Sequence, residues 1–69
     1  MVVKIREIRQ RQGLTVYELA KRSGLTHSFV WKLDHDMVKR PSINTLSKLA
    51  KALDCNVNDL YDDDEVKQT

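Results

Sequence analysis

Between Thr15 and Leu33 the chain reads TVYELAKRSGLTHSFVWKL, and this stretch restricts the local fold more than any other. Thr15 with Glu18 three residues later is a capping-box pattern, which starts a helix by satisfying its free N–H groups. Leu19 and Ala20 give that helix an apolar contact face. Gly24 stands where the helix must stop, because glycine takes a left-handed backbone at little cost. Leu25 can plug the corner, and Thr26 can cap a second helix at once, with Val30 and Leu33 turned inward. Two short helices joined by a tight Gly-containing turn form a helix-turn-helix, whose second helix is built to enter a DNA major groove.

The rest of the chain extends this pattern to an all-α fold of five helices with no strand. The first helix is predicted over residues 3–12, where Ile5, Ile8, Arg9 and Gln12 share a face and Gly13 ends it. The second covers residues 16–23 and the third residues 27–35. A basic loop, DMVKRP, occupies 36–41, and Pro41 blocks helix in the residue before it. Ser42 caps a fourth helix over 43–53, with Ile43, Leu46, Leu49, Ala50 and Leu53 as its apolar stripe. Asn56 with Asp59 caps a last short helix carrying Val57, Leu60 and Tyr61. Residues 1–61 form the predicted domain, and residues 62–69 an acidic, frayed tail. The apolar stripes are core, since each helix of so small a domain needs one buried face.

Sixty-nine residues are enough for one domain, which buries only about 60% of its unfolded surface and gains from tight packing or a second copy. The composition, 41% hydrophobic and 32% charged, is that of a folded chain rather than a disordered one. No apolar run approaches the roughly 18 residues of a membrane span, and the N-terminus shows no signal-peptide core. A single cysteine, Cys55, offers neither a disulfide framework nor a metal cluster, so a reducing cytoplasm is expected. The net charge of +2 hides an asymmetry: residues 1–58 carry eleven Lys/Arg against five Asp/Glu, and the remainder carries one Lys against five acids. The body is therefore basic enough to attract phosphate, and the tail is not.

With these segments in hand, the chain resembles the Cro/repressor family of helix-turn-helix domains, the XRE type. The likeness rests on IREIRQRQGLT, ELAKRSGLT, RPSINTLSKLAKAL and NDLY, in that order, over residues 5–61. It implies a five-helix, usually dimeric domain that binds operator DNA and regulates transcription. Val16 stands where the family often has a phosphate-binding Gln, which leaves only a backbone N–H as donor there. His27, Ser28 and Lys32 fall at base-reading positions, and Phe29 at one that meets a thymine methyl or the sugar-phosphate edge. Lys39 and Arg40 fall in the loop that meets phosphates. Arg9 and Asp34 fall where the family often buries an Arg–acid pair tying the first helix to the third. Asp36 and Asp54 replace common Gly or Asn positions at helix ends, and Phe29 and Trp31 stand where polar residues are usual.

The residues themselves support part of this. Lys32 lies one turn beyond Ser28, on a face opposite Val30 and Leu33, where its ammonium can reach guanine O6 and N7. His27, in the first turn, is either a phosphate or base contact or an exposed helix start. Three settings are open to Trp31: half-buried over the second helix or the loop, pressed on a sugar-phosphate edge, or set against a protein partner. No phosphate loop, metal-ligand spacing, calcium loop or acid–base pair is visible, so neither enzymatic activity nor a cofactor is expected, and no small-molecule pocket is outlined. The expected function is a cytoplasmic transcription regulator, a repressor acting as a homodimer on a pseudo-palindromic operator. Its dimer surface is expected at Val57, Leu60 and Tyr61. The rival is a protein-interaction module of antitoxin or anti-repressor type that uses Phe29 and Trp31.

Overall fold

The computed structural model describes residues 2–62. In chain order its elements are β1 (Val2–Val3), α1 (Ile5–Arg11), α2 (Val16–Ser23), α3 (His27–Asp34), α4 (Ile43–Leu53), a 3-10 turn (Val57–Leu60) and β2 (Tyr61–Asp62). The fold is mostly helical, and α2 and α3 form the helix-turn-helix.

The local signals act as the sequence predicts. Thr15 Oγ1 accepts from the Glu18 N–H at 3.0 Å, and the Thr15 N–H donates to Glu18 Oε1 at 2.8 Å. The Thr15 backbone and side-chain bonds hold the Glu18 carboxyl below its ordinary pKa. Gly24 caps α2 in the left-handed region at φ 76°, and its N–H donates to Ala20 O at 3.0 Å. Thr26 Oγ1 then accepts from the Phe29 N–H and starts α3 two residues later. Asp36 (φ 60°) and Asp54 (φ 54°) end α3 and α4 in the same left-handed conformation. Asp tolerates it better than most side chains because it is short and polar. The returning N–H groups of Met37 and Cys55 donate to Lys32 O (2.8 Å) and Ala50 O (3.0 Å), satisfying carbonyls that the helix ends would otherwise leave open.

One core joins every helix. Ile5 of α1, Leu19 of α2, Val30 and Leu33 of α3, and Leu46, Leu49 and Leu53 of α4 are fully buried, together with Leu60 from the 3-10 turn. In α3 the spacing of Val30, Leu33 and Asp34 turns one side inward, which fixes the opposite side toward solvent.

Several expectations need correction. There are four α-helices rather than five. Residues 57–60 make a single 3-10 turn, in which the Asp59 N–H donates to Asn56 O at 3.0 Å. Four residues allow little more than one turn, and Tyr61 must then be extended (φ −155°, ψ 158°) to enter a strand. That strand is also unexpected: β2 pairs antiparallel with β1, Val3 opposite Tyr61 and Val2 opposite Asp62. Val3 therefore belongs to β1, and α1 begins at Ile5. The Lys4 N–H donates to Leu60 O at 2.7 Å, and Lys4 Nζ pairs with Asp62 at 3.1 Å. Asp62, expected in the tail, is part of this clasp. Asp63, Asp64 and Glu65 lie outside the described residues.

Two side chains also change role. Ile43, expected in the buried stripe of α4, is 67% exposed, because it occupies the first residue of the helix where the body gives no cover. Leu60, expected on a dimer surface, is fully buried in its own core. It has no area left to offer a second copy.

Candidate nucleic-acid interface

The interface is built on a polar lock beneath α3. Arg9 of α1 donates through Nε to Asp34 Oδ1 at 2.8 Å and through Nη2 to Oδ2 at 3.2 Å. Its Nη1 donates to Leu14 O at 2.7 Å. Arg6, one turn earlier, donates through Nε and Nη2 to the Asp34 carbonyl at 2.9 and 2.6 Å, and its Nη2 lies 3.6 Å from the Asp36 carboxylate. Two guanidiniums thus clamp the C-terminal end of α3 against α1. Arg6 was not singled out from sequence. Its signal was there, three residues before Arg9 on one helix face.

With its inner side locked, α3 presents His27, Ser28, Trp31, Lys32 and His35 to solvent. Ser28, Trp31, Lys32 and His35 stand at i, i+3, i+4 and i+7 and so form a single stripe. This is the arrangement an α-helix needs to lay several side chains along base edges at once. Lys39 and Arg40 are exposed in the loop after α3, which is anchored by buried Pro41.

Not every residue singled out from sequence reaches that face. Val16 and Phe29 are partly buried and pack against the core. Trp31 is 42% exposed. Its indole stacks on His35, the residue that caps the C-terminal end of α3, with centroids 3.9 Å apart and planes 18° apart. Tyr17 of α2, also not anticipated, is exposed beside the start of α3. Its ring lies 6.2 Å from His27, and Lys21 Nζ lies 5.6 Å from the ring centroid. The half-buried Val57 and Tyr61 pack at the other end of the chain.

The remaining chemistry is sparse. Burial, with Asp59 and Asp54 nearby, raises the Cys55 thiol above its ordinary pKa, which disfavours the nucleophilic thiolate. Among the described residues, no cluster of His, Cys, Asp or Glu is placed to hold a metal ion, and no helix is long and apolar enough to cross a membrane.

Comparison with known proteins accords with this geometry. Residues 4–65 match the family described as the Cro/C1-type HTH DNA-binding domain. The HTH-type transcriptional regulator PuuR of Escherichia coli (strain K12) is 39% identical over 62 residues, 90% of this chain and 33% of PuuR. SinR of Bacillus subtilis (strain 168) is 30% identical over 60 residues, 87% of this chain and 54% of SinR. The chain thus spans a third to about half the length of these curated relatives. The crystal structure of SinR, a master regulator for biofilm formation, in complex with DNA superposes with a TM-score of 0.80 at 30% identity, covering 86% of this chain and 94% of that one. The restriction-modification controller protein C.AhdI from Aeromonas hydrophila gives 0.77 at 34% identity, covering 84% and 86%.

Proposed function

Because this chain belongs to the Cro/C1-type helix-turn-helix DNA-binding domain family, we propose that it is a transcriptional repressor that occupies promoter DNA as a homodimer. The observation that carries this reading is the solvent-facing stripe of α3, held outward by the Arg9–Asp34 lock beneath it. His27, Ser28 and Lys32 supply contacts to bases. Lys39 and Arg40 supply contacts to phosphate, whose displaced counterions give sequence-independent affinity. The half-buried Phe29 and the exposed indole of Trp31 meet a thymine methyl or a sugar edge. At Val16 the backbone N–H at the start of α2 faces phosphate.

Two copies would set their α3 helices about 34 Å apart, on half-sites about 10 base pairs apart. With Leu60 internal, Val57 and Tyr61 are what remains of the surface proposed for a second copy, both half-buried. The rival, a protein-interaction module, would use the half-buried Phe29 and the exposed Trp31.

Selection of bound sequences from random duplex DNA tests the proposal. The expected product is a pair of inverted half-sites. Enrichment of no sequence at all would overturn it. Two substitutions then separate the contact types. Lys32→Ala should cost about 1–3 kcal/mol on the best site and relax preference at one base pair. Lys39→Ala or Arg40→Ala should weaken binding evenly across sequences and lower the salt slope by about one unit each. Equal losses on all sequences from Lys32→Ala would make that residue a phosphate contact, and an unchanged salt slope would place the loop away from DNA.

A further inference from the structure

His35 is the outermost residue of the α3 stripe, seven positions after Ser28 and three after Lys32, and its side chain is 43% exposed. Its ring is not free to turn. One face is stacked on Trp31, and its Nδ1 lies 2.9 Å from the Trp31 carbonyl oxygen. A carbonyl only accepts, so Nδ1 must carry the hydrogen of that bond. A neutral imidazole has one N–H, and the other nitrogen then keeps its lone pair. The bond to Trp31 therefore fixes the tautomer and leaves Nε2 with its lone pair as a hydrogen-bond acceptor.

Resting on the DNA-binding reading above, we propose that His35 is a specificity-determining residue whose Nε2 accepts a hydrogen bond from the exocyclic amino group of adenine or cytosine. Those amino groups are the donors on major-groove base edges; guanine O6 and N7 and thymine O4 are acceptors and would face the lone pair unfavourably. Trp31 acts as a positioning residue, supplying both the stacking surface and the carbonyl that sets the tautomer.

The polarity of this contact reverses with protonation, since imidazolium donates from both nitrogens. The charged groups around the ring are Asp34, whose Oδ2 lies 3.9 Å from Nδ1, the Arg9 and Arg6 guanidiniums that hold Asp34 from α1, and the Asp36 carboxylate beside Arg6. Acid thus converts Nε2 into a donor suited to guanine.

The test is selection from random duplex DNA at about pH 8 and about pH 5.5. It is run with the wild-type chain and with His35→Ala and His35→Gln. At the higher pH one base position should favour adenine or cytosine by roughly threefold to tenfold, the range of one net hydrogen bond. At the lower pH the preference there should move to guanine. His35→Ala should abolish the preference at both pH values, and His35→Gln should remove its pH dependence. Nitrogen-15 NMR of the free protein gives a readout independent of DNA: at the higher pH, His35 should be protonated at Nδ1 and bare at Nε2. A wild-type motif that is identical at both pH values and unchanged in His35→Ala overturns this inference and leaves the DNA-binding reading standing, as does an Nε2–H tautomer in the free protein. Failure of the wild-type chain to select any sequence overturns both.

Discussion

Asp34→Ala should lower the unfolding free energy by about 3–5 kcal/mol, the cost of leaving a buried charge without its counter-ion. The Asp34 side chain is 3% exposed and that of Arg9 13%, so water cannot easily replace the lost carboxylate. Arg9 would keep its bond to Leu14 O but lose both bonds to Asp34. Arg6 would lose its 3.5 Å ion pair to Asp34 Oδ2 but suffer less, because it is 47% exposed and its hydrogen bonds run to the Asp34 backbone carbonyl. Small domains have total stabilities of about 5–15 kcal/mol, so the change would consume a large share. A thermal melt should fall by more than about 12 °C, at about 4–8 °C per kcal/mol for a domain of this size. Replacing both partners by apolar residues of similar volume, Arg9→Met with Asp34→Leu, should recover much of the loss. A shift of a degree or two for Asp34→Ala would mean that the pair is solvated.

Leu60→Ala should cost about 2–5 kcal/mol, as truncation of a fully buried leucine does when the cavity cannot collapse. Its position makes collapse difficult. The Leu60 carbonyl accepts from Lys4, and the next residue is held in β2, so the backbone is fixed on both sides. Urea denaturation should show the loss with an unchanged m-value, and the loss should not depend on protein concentration. A destabilisation that grew on dilution would instead return Leu60 to an interface between copies. DNA affinity measured well below the new melting point should change little.

The α2–turn–α3 unit was legible because every instruction for it is local. Thr15 with Glu18, Gly24 and Thr26 act within four residues of themselves, and the same holds for Ser42 at the start of α4. The outward placement of Ser28 and Lys32 follows from helical geometry once Val30 and Leu33 are inside. What escaped depends on residues far apart in the chain or on side-chain torsions. The pairing of Val3 with Tyr61 joins opposite ends of the sequence, and nothing in VVK or YDD announces it. Once that pairing forms, Leu60 has to point inward. The short segment 57–60 carried the right apolar residues but not their direction. The Trp31–His35 stack is an i, i+4 contact that the sequence permits and rotamer choice decides.

The clasp between β1 and β2 has a consequence for how this unit can be joined to other polypeptide. Val2 and Asp62 are paired residues on neighbouring strands, so entry and exit of the described chain lie side by side. Any sequence fused before one and any sequence fused after the other leave from a single point. A domain with that property can be inserted as a cassette into a surface loop of a host protein without prising the loop open. Its two connections then act as one tether.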